Sequence, residues 1–215
     1  MTLREEHIGG QNRSTAVMQR RSEPHDSLDD FPTPPWATRA LCERLHLLVW
    51  PLICREPTAN RGHMVRPLRE FFRTVEASDI HDYGAGFPQV DYLFGPVPDA
   101  VDWTITNPPF RLAQAFIERA LASSRDGVAV FVRSAFLEGQ ARYAELFSLT
   151  PPSMVLQFAE RVVLHKGRLA PEGSTATAYC WMIWELKSPR GTVFDWIAPC
   201  RRRLERANDY AENRL

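Results

Sequence analysis

The sequence predicts an α/β fold built on a mainly parallel sheet. Three observations carry this. Apolar or β-branched runs alternate with helix-like stretches through most of the chain. Residues 127–132 are almost wholly apolar, as a strand covered on both faces requires. Thr106-Asn107-Pro108-Pro109-Phe110 stands where a strand gives way to a helix. That is the edge at which open α/β sheets bind ligands.

The elements read in order as follows. Residues 1–28 are polar and basic without apolar periodicity, and are expected to form a flexible arm. The prolines of Phe31-Pro32-Thr33-Pro34-Pro35 predict an extended segment that ends as a helix begins at 37–45. Thr33 and the proline backbone either line a cofactor cleft or only mark a helix entry. Residues 47–54 read as a buried first strand, followed by a loop ending in Gly62 and a helix over 65–72. Gly62 permits close approach of the backbone to a ligand, and Asn60 tolerates a positive φ. Residues 73–80 read as a second strand ending in Asp79. An acid at that spacing after a glycine loop is where ribose hydroxyls bind. A plain strand-to-helix turn stays open for this loop, since neither a dinucleotide fingerprint nor a phosphate loop is present.

Residues 101–105 alternate as a strand and 111–121 as a helix. After the strand at 127–132 come a helix over 136–149, stopped by Pro151-Pro152, and a strand over 154–158. A basic loop follows, carrying Arg161, His165, Lys166 and Arg168. Residues 175–184 form a long β-prone run, expected as the final, antiparallel strand. The expected division is a domain over 29–190 and a polar tail over 191–215.

Composition sets bounds. Of 215 residues, 44% are hydrophobic and 24% charged, enough for one α/β domain with a proper core. Lys+Arg and Asp+Glu are 26 each, so a nucleic-acid face must come from local clustering. The 4 cysteines lack Cys-x-x-Cys spacing, which implies neither zinc nor a disulfide framework and suggests a reducing, cytoplasmic setting. No apolar run is long enough to span a bilayer, so no membrane partner is expected.

Asn107 supplies an amide oxygen as acceptor, and Pro108 a carbonyl on a residue without N–H. Together they suit a planar amino group, and Phe110 adds a ring for a flat heterocycle. A proline-rich turn with a buried phenylalanine is the bland alternative.

Four features stand in one order: Pro32-Thr33-Pro34-Pro35, the Glu56-Pro57 loop with Gly62, Asp79 ending the second strand, and Asn107-Pro108-Pro109-Phe110. In this the chain resembles the S-adenosylmethionine-dependent amino-methyltransferases of nucleic acid, most closely the small phage-type DNA adenine enzymes. The likeness runs from about Asp29 to Trp184. It implies a Rossmann-like methyltransferase fold, a seven-stranded sheet with an antiparallel last strand, S-adenosyl-L-methionine as cofactor, DNA as partner and methyl transfer to its adenine. An RNA, cytosine or protein-glutamine amino-methyltransferase, or a catalytically silent cofactor-binding subunit, are the open alternatives.

The resemblance also implies roles. Asn107 and Pro108 would accept from the target amino group, within a catalytic segment completed by Pro109, and Phe110 would stack on the base. Glu56, Asn60 and Gly62 would border the cofactor's methionine, with Thr33 and Pro34 closing over it. Asp79 would hold the ribose, Ile80 would touch the adenine ring and Asp91 would meet its amino group. Arg111, Arg161, Lys166 and Arg168 are the expected phosphate contacts, and no metal is needed. Asn60 stands where the family usually has glycine. Leu164 stands where related enzymes often carry an aromatic, for which Phe158 is a possible substitute.

Overall fold

A computed structural model of the protein describes residues 29–45, 52–187 and 191–211. The expected arm over 1–28 and residues 47–51 of the expected first strand lie outside them. The described elements are α1 (Pro35–Arg44), β1 (Ile53–Glu56), α2 (Val65–Leu68), β2 (Thr74–Ala77), β3 (Val101–Thr106), α3 (Ala113–Ala122), β4 (Ser124–Arg133), α4 (Gln140–Arg142), β5 (Met154–Phe158), β6 (Tyr179–Glu185), β7 (Val193–Ile197) and α5 (Arg201–Leu204).

The strands form one 7-stranded sheet in the order β2-β1-β3-β4-β6-β5-β7. Strand β6 runs antiparallel to β4 and β5, and every other pairing is parallel. The α/β class and the mainly parallel sheet are as the sequence predicts. Both faces of β4 are covered. Val128, Val130 and Val132 pack with Ile117 of α3, while Ala129 and Phe131 face the cluster of Trp36, Leu41 and Trp181. That two-sided burial explains the unbroken apolar run. Gly127 is required there, because an added Cβ would meet the Trp103 ring at 2.4 Å.

Several expectations are corrected. The antiparallel strand is not the last. The stretch expected as a polar tail supplies β7, which pairs in parallel with β5, and α5. Its composition hid this, because β7 is a short edge strand whose Val193, Phe194 and Trp196 are exposed. A buried ion cluster ties down the segment after α5: Arg39 donates to Asp209 Oδ2 and Oδ1 at 2.8 and 2.9 Å, and to Glu70. Arg203 and Arg206 pair with Glu43 and Glu70, so they serve as cross-links as well as a solvated face.

The helix expected over 136–149 breaks into a 3-10 turn (Ser134–Leu137), α4 and a π-helical turn (Tyr143–Phe147). Gly139, at φ 124, interrupts it. Helix α2 is a single turn, with Pro67 inside it. Strand β2 stops at Ala77, and Asp79 lies beyond it in a parallel bridge to Gln89.

Candidate functional site

Strand order reverses about β1: β2 lies on one side of it and β3 on the other. The crevice outside the carboxyl ends of β1 and β3 is therefore the switch point of the sheet. Glu56 ends β1, and Thr106 ends β3 immediately before Asn107.

Glu56 is fully buried. Its Oε1 accepts from Thr58 N at 2.9 Å, Thr58 Oγ1 at 2.9 Å and Thr106 Oγ1 at 2.7 Å, while Oε2 has no partner. Burial pushes its pKa up to about 7, against the pull of those donors. Thr58 Oγ1 also lies 2.6 Å from Thr106 Oγ1 and 3.1 Å from the Asn107 carbonyl. A carboxyl and two hydroxyls thus hold the backbone at which the Asn-Pro-Pro-Phe segment begins.

The Asn107 side chain is oriented by a bond from Nδ2 to the Phe31 carbonyl at 2.9 Å. This turns Oδ1 away from that contact, and no described residue donates to Oδ1 or to the Pro108 carbonyl. The Pro109 carbonyl is used by Leu112 N at 2.9 Å, which helps start α3. Phe110 N donates to Asp29 Oδ2 at 2.6 Å. The Phe110 ring lies 5.9 Å from Phe31 and 6.4 Å from Tyr179 by centroid. The Arg133 guanidinium sits over it at 4.1 Å.

The glycine loop is clamped from two sides. Asn60 has φ 50, so it adopts the left-handed conformation that its place requires. Its N–H donates to Asp79 Oδ2 at 2.9 Å, and its Nδ2 to Asp30 Oδ1 at 2.7 Å. Its side chain is thereby spent on the 29–34 segment. Arg61 pairs with Asp30 at 3.1 Å, and Gly167 N donates to the Asp30 carbonyl at 2.8 Å. The basic turn holding Lys166 and Arg168, both exposed, is thus fastened over the loop. Asp79 is buried and also accepts from His81 N at 3.0 Å, and burial raises its pKa. Burial, with Asp30 and Asp79 nearby, pushes the Tyr83 phenol up to about 12.

Thr33 is buried, and its Oγ1 has no partner. It precedes Pro34, the residue before α1. Orphaned oxygens at Thr33 and Glu56 fit a small ligand that brings both donors and acceptors. Ile80 is 57% exposed beside Asp79, which leaves an apolar side chain for a flat ring. Asp91 is exposed, and its Oδ1 already accepts from Leu93 N at 2.9 Å. Arg111 is exposed on the turn into α3, and Arg161 reaches the Ala176 carbonyl at 3.3 Å. Neither Leu164 nor Phe158 can sandwich a base. Both are buried, and Phe158 packs edge-on against Trp36 at 5.6 Å.

Sequence reading missed Thr58, Thr106, the Phe31 carbonyl, Asp30 and Arg133. Thr106 directly precedes Asn107, and Thr58 lies two residues after Glu56, the spacing of a side-chain turn. Two surface cavities, of about 430 and 460 Å³, lie beside Trp196, and neither is lined by Glu56, Asn60, Asp79 or Asn107. No cluster of three or more metal-ligating side chains occurs among the described residues. No helix among them is long and apolar enough to cross a membrane.

Solved structures share this architecture. A modification subunit assigned to a type I restriction enzyme of Vibrio vulnificus superposes with a TM-score of 0.57 at 16% identity, over 82% of this chain and 49% of its own. The type I restriction-modification methyltransferase subunit of Streptococcus thermophilus gives 0.56 at 11% identity, over 84% and 50%. A protein assigned as an RNA methyltransferase from Pyrococcus horikoshii gives 0.52 at 16% identity, over 77% and 92%. The chain has the methyltransferase fold. It spans about half the length of the two restriction-modification subunits. No protein-family model and no curated protein sequence matches it.

Proposed function

We propose that this protein transfers a methyl group from S-adenosylmethionine to the exocyclic amino group of adenine in DNA. The observation that carries the reading is the fixed amide of Asn107, whose Nδ2 is tied to the Phe31 carbonyl at 2.9 Å. Its Oδ1 and the Pro108 carbonyl then form a pair of acceptors matched to the two hydrogens of one amino group. S-adenosylmethionine, when bound, supplies an electrophilic methyl on sulfur.

The residues of this chain account for the rest. An aromatic amine is a poor nucleophile because its lone pair is delocalised into the ring. Acceptors on both hydrogens localise that pair and aim it, and holding it at attack distance lowers the barrier by positioning. The Thr58 hydroxyl near the Asn107 carbonyl keeps the acceptor segment in register with β1. The nitrogen becomes acidic as it is alkylated, so Asn107, the Pro108 carbonyl or water suffices to take the proton. Glu56 Oε2 and Thr33 Oγ1 are the groups we assign to the polar end of the cofactor, Gly62 to its close approach, and Asp79 to its ribose. We keep Pro34, Asn60, Ile80 and Asp91 in the cofactor site.

A duplex substrate requires the base to leave the stack, at a cost of a few kcal/mol. Stacking on Phe110 returns about 1–3 kcal/mol. Arg111, Arg161, Lys166 and Arg168 are assigned to the phosphates.

Tritiated methyl transfer to unmethylated DNA, with RNA of the same sequence in parallel, tests the proposal. Transfer to DNA that disappears in Asn107→Ala supports it. Transfer to RNA alone would replace DNA by RNA as substrate. Cofactor binding without transfer to either would sink the reading.

A further inference from the structure

Arg133 is the last residue of β4 and lies outside every role assigned so far. It pairs with Tyr179 of β6. In alternation along β4 it shares a face with Phe131, the face on which Phe31, Phe110 and Tyr179 gather. Its guanidinium carbon sits 4.1 Å from the centroid of the Phe110 ring. That places a fixed cation over the residue that directly follows the acceptor segment.

Among the described residues no carboxylate neutralises this cation, and none accepts a hydrogen bond from it. Its Nε is buried and orphaned. Every other part-buried arginine among the described residues donates to a carboxylate, a carbonyl or a ring nitrogen. Arg119 reaches the Phe94 carbonyl and Arg142 the Phe136 carbonyl, for example. A guanidinium stacked on an aromatic face, with terminal nitrogens that no described residue uses and that are not buried, is built to receive an acceptor from outside the chain. Arg161 lies along the same rim. It donates to the Ala176 carbonyl at 3.3 Å, and Ser134 N, next to Arg133, donates to the Ala178 carbonyl at 2.9 Å. The two cations thus flank the entry to β6.

We infer that Arg133 is the binding site for the DNA phosphate adjoining the target base, held against Phe110 so that one residue pair receives both parts of a nucleotide. The inference rests on the DNA reading above, and it adds a contact that positions the nucleotide rather than reacts with it. Planarity matters, since the same guanidinium must stack on Phe110 and offer its edge to phosphate oxygens.

The test is equilibrium binding of a fluorescent DNA duplex across a salt series, without cofactor turnover. It uses the wild type, Arg133→Gln, Arg133→Lys and, as a distant exposed control, Arg202→Gln. Loss of one phosphate contact reduces the slope of log affinity against log salt by about 0.9. Between about 50 and about 200 mM salt, that is about 3.5-fold less loss of affinity in Arg133→Gln. Arg133→Lys keeps the wild-type slope, and so does Arg202→Gln. Thermal melting checks each fold. Should the Gln variant melt differently, Arg133→Met, which keeps an apolar cover on Phe110, carries the same test. A wild-type slope in the uncharged variants would overturn the assignment and leave Arg133 as a brace for Phe110. An equal drop in Arg202→Gln would overturn it too, as a general charge effect. A wild type that binds no duplex at all would instead remove the DNA reading on which it rests.

Discussion

Glu56→Gln separates the charge of the buried carboxyl from its hydrogen bonds. Oε1 has three donors and Oε2 has none. Burial raises the pKa from 4.5 to about 7. The folded state therefore keeps a proton over a range in which the unfolded chain has released it. The stability this contributes is full below pH 4.5 and is lost as pH rises through about 7. At about 1.4 kcal/mol per pH unit, the loss is about 3 kcal/mol. Glutamine mimics the protonated acid: its oxygen keeps the three donors, and its uncharged amide takes the place of Oε2. Urea unfolding of both proteins across pH is the assay. The wild type loses about 3 kcal/mol more than the variant between about pH 4.5 and about pH 8. Taking the difference removes most of the contribution of Asp79 and of His63, whose pKa burial lowers to about 4. Parallel pH profiles for the two proteins would refute the reasoning.

Other outcomes follow from the same geometry. Asp209→Ala removes two of the bonds of the buried Arg39 guanidinium, which keeps Glu70 and the Leu204 carbonyl. The cost therefore stays below the ~3–5 kcal/mol of a fully unpaired buried charge, at about 2 kcal/mol. A loss under about 1 kcal/mol in urea unfolding would show that the segment around Asp209 is not held there. Asn60→Gly keeps the backbone at φ 50 but removes the bond to Asp30 Oδ1, leaving Arg61 on Oδ2. Hydrogen exchange at Ala37 N, which bonds the Pro34 carbonyl, should then speed up with little change in melting temperature. Unchanged exchange would mean that the clamp lies elsewhere.

What the sequence reveals depends on whether a residue's own chemistry sets its role. Asn107-Pro108-Pro109-Phe110 is legible because two prolines exclude helix, and the Pro108 carbonyl accepts from no described residue. The run at 127–132 is legible because a strand covered on both faces tolerates no polar side chain. Thr58 and Thr106 are not, because a hydroxyl near a strand end also suits the strand itself, and only folding brings them 2.6 Å apart. Asp30 and the Phe31 carbonyl are long-range partners, 30 and 76 residues from Asn60 and Asn107. Strand β7 escapes because it is short and exposed at the sheet edge. Its partners in β5 and the ion pair from Arg44 to Asp195 at 2.5 Å supply what its pattern lacks. Arg133 escapes because a cation ending an apolar strand reads as a solvated terminus, and only the fold sets it over Phe110.

The central claim is that the Asn107 amide and the Pro108 carbonyl hold a target amino group for methylation. Mass spectrometry of nucleosides released from unmethylated DNA, after incubation with labelled S-adenosylmethionine, tests it most directly. The account predicts deoxyadenosine carrying one labelled methyl on its exocyclic nitrogen from the wild type, and none from Asn107→Ala with its fold intact. Label on another base, or equal product from the variant, would contradict it.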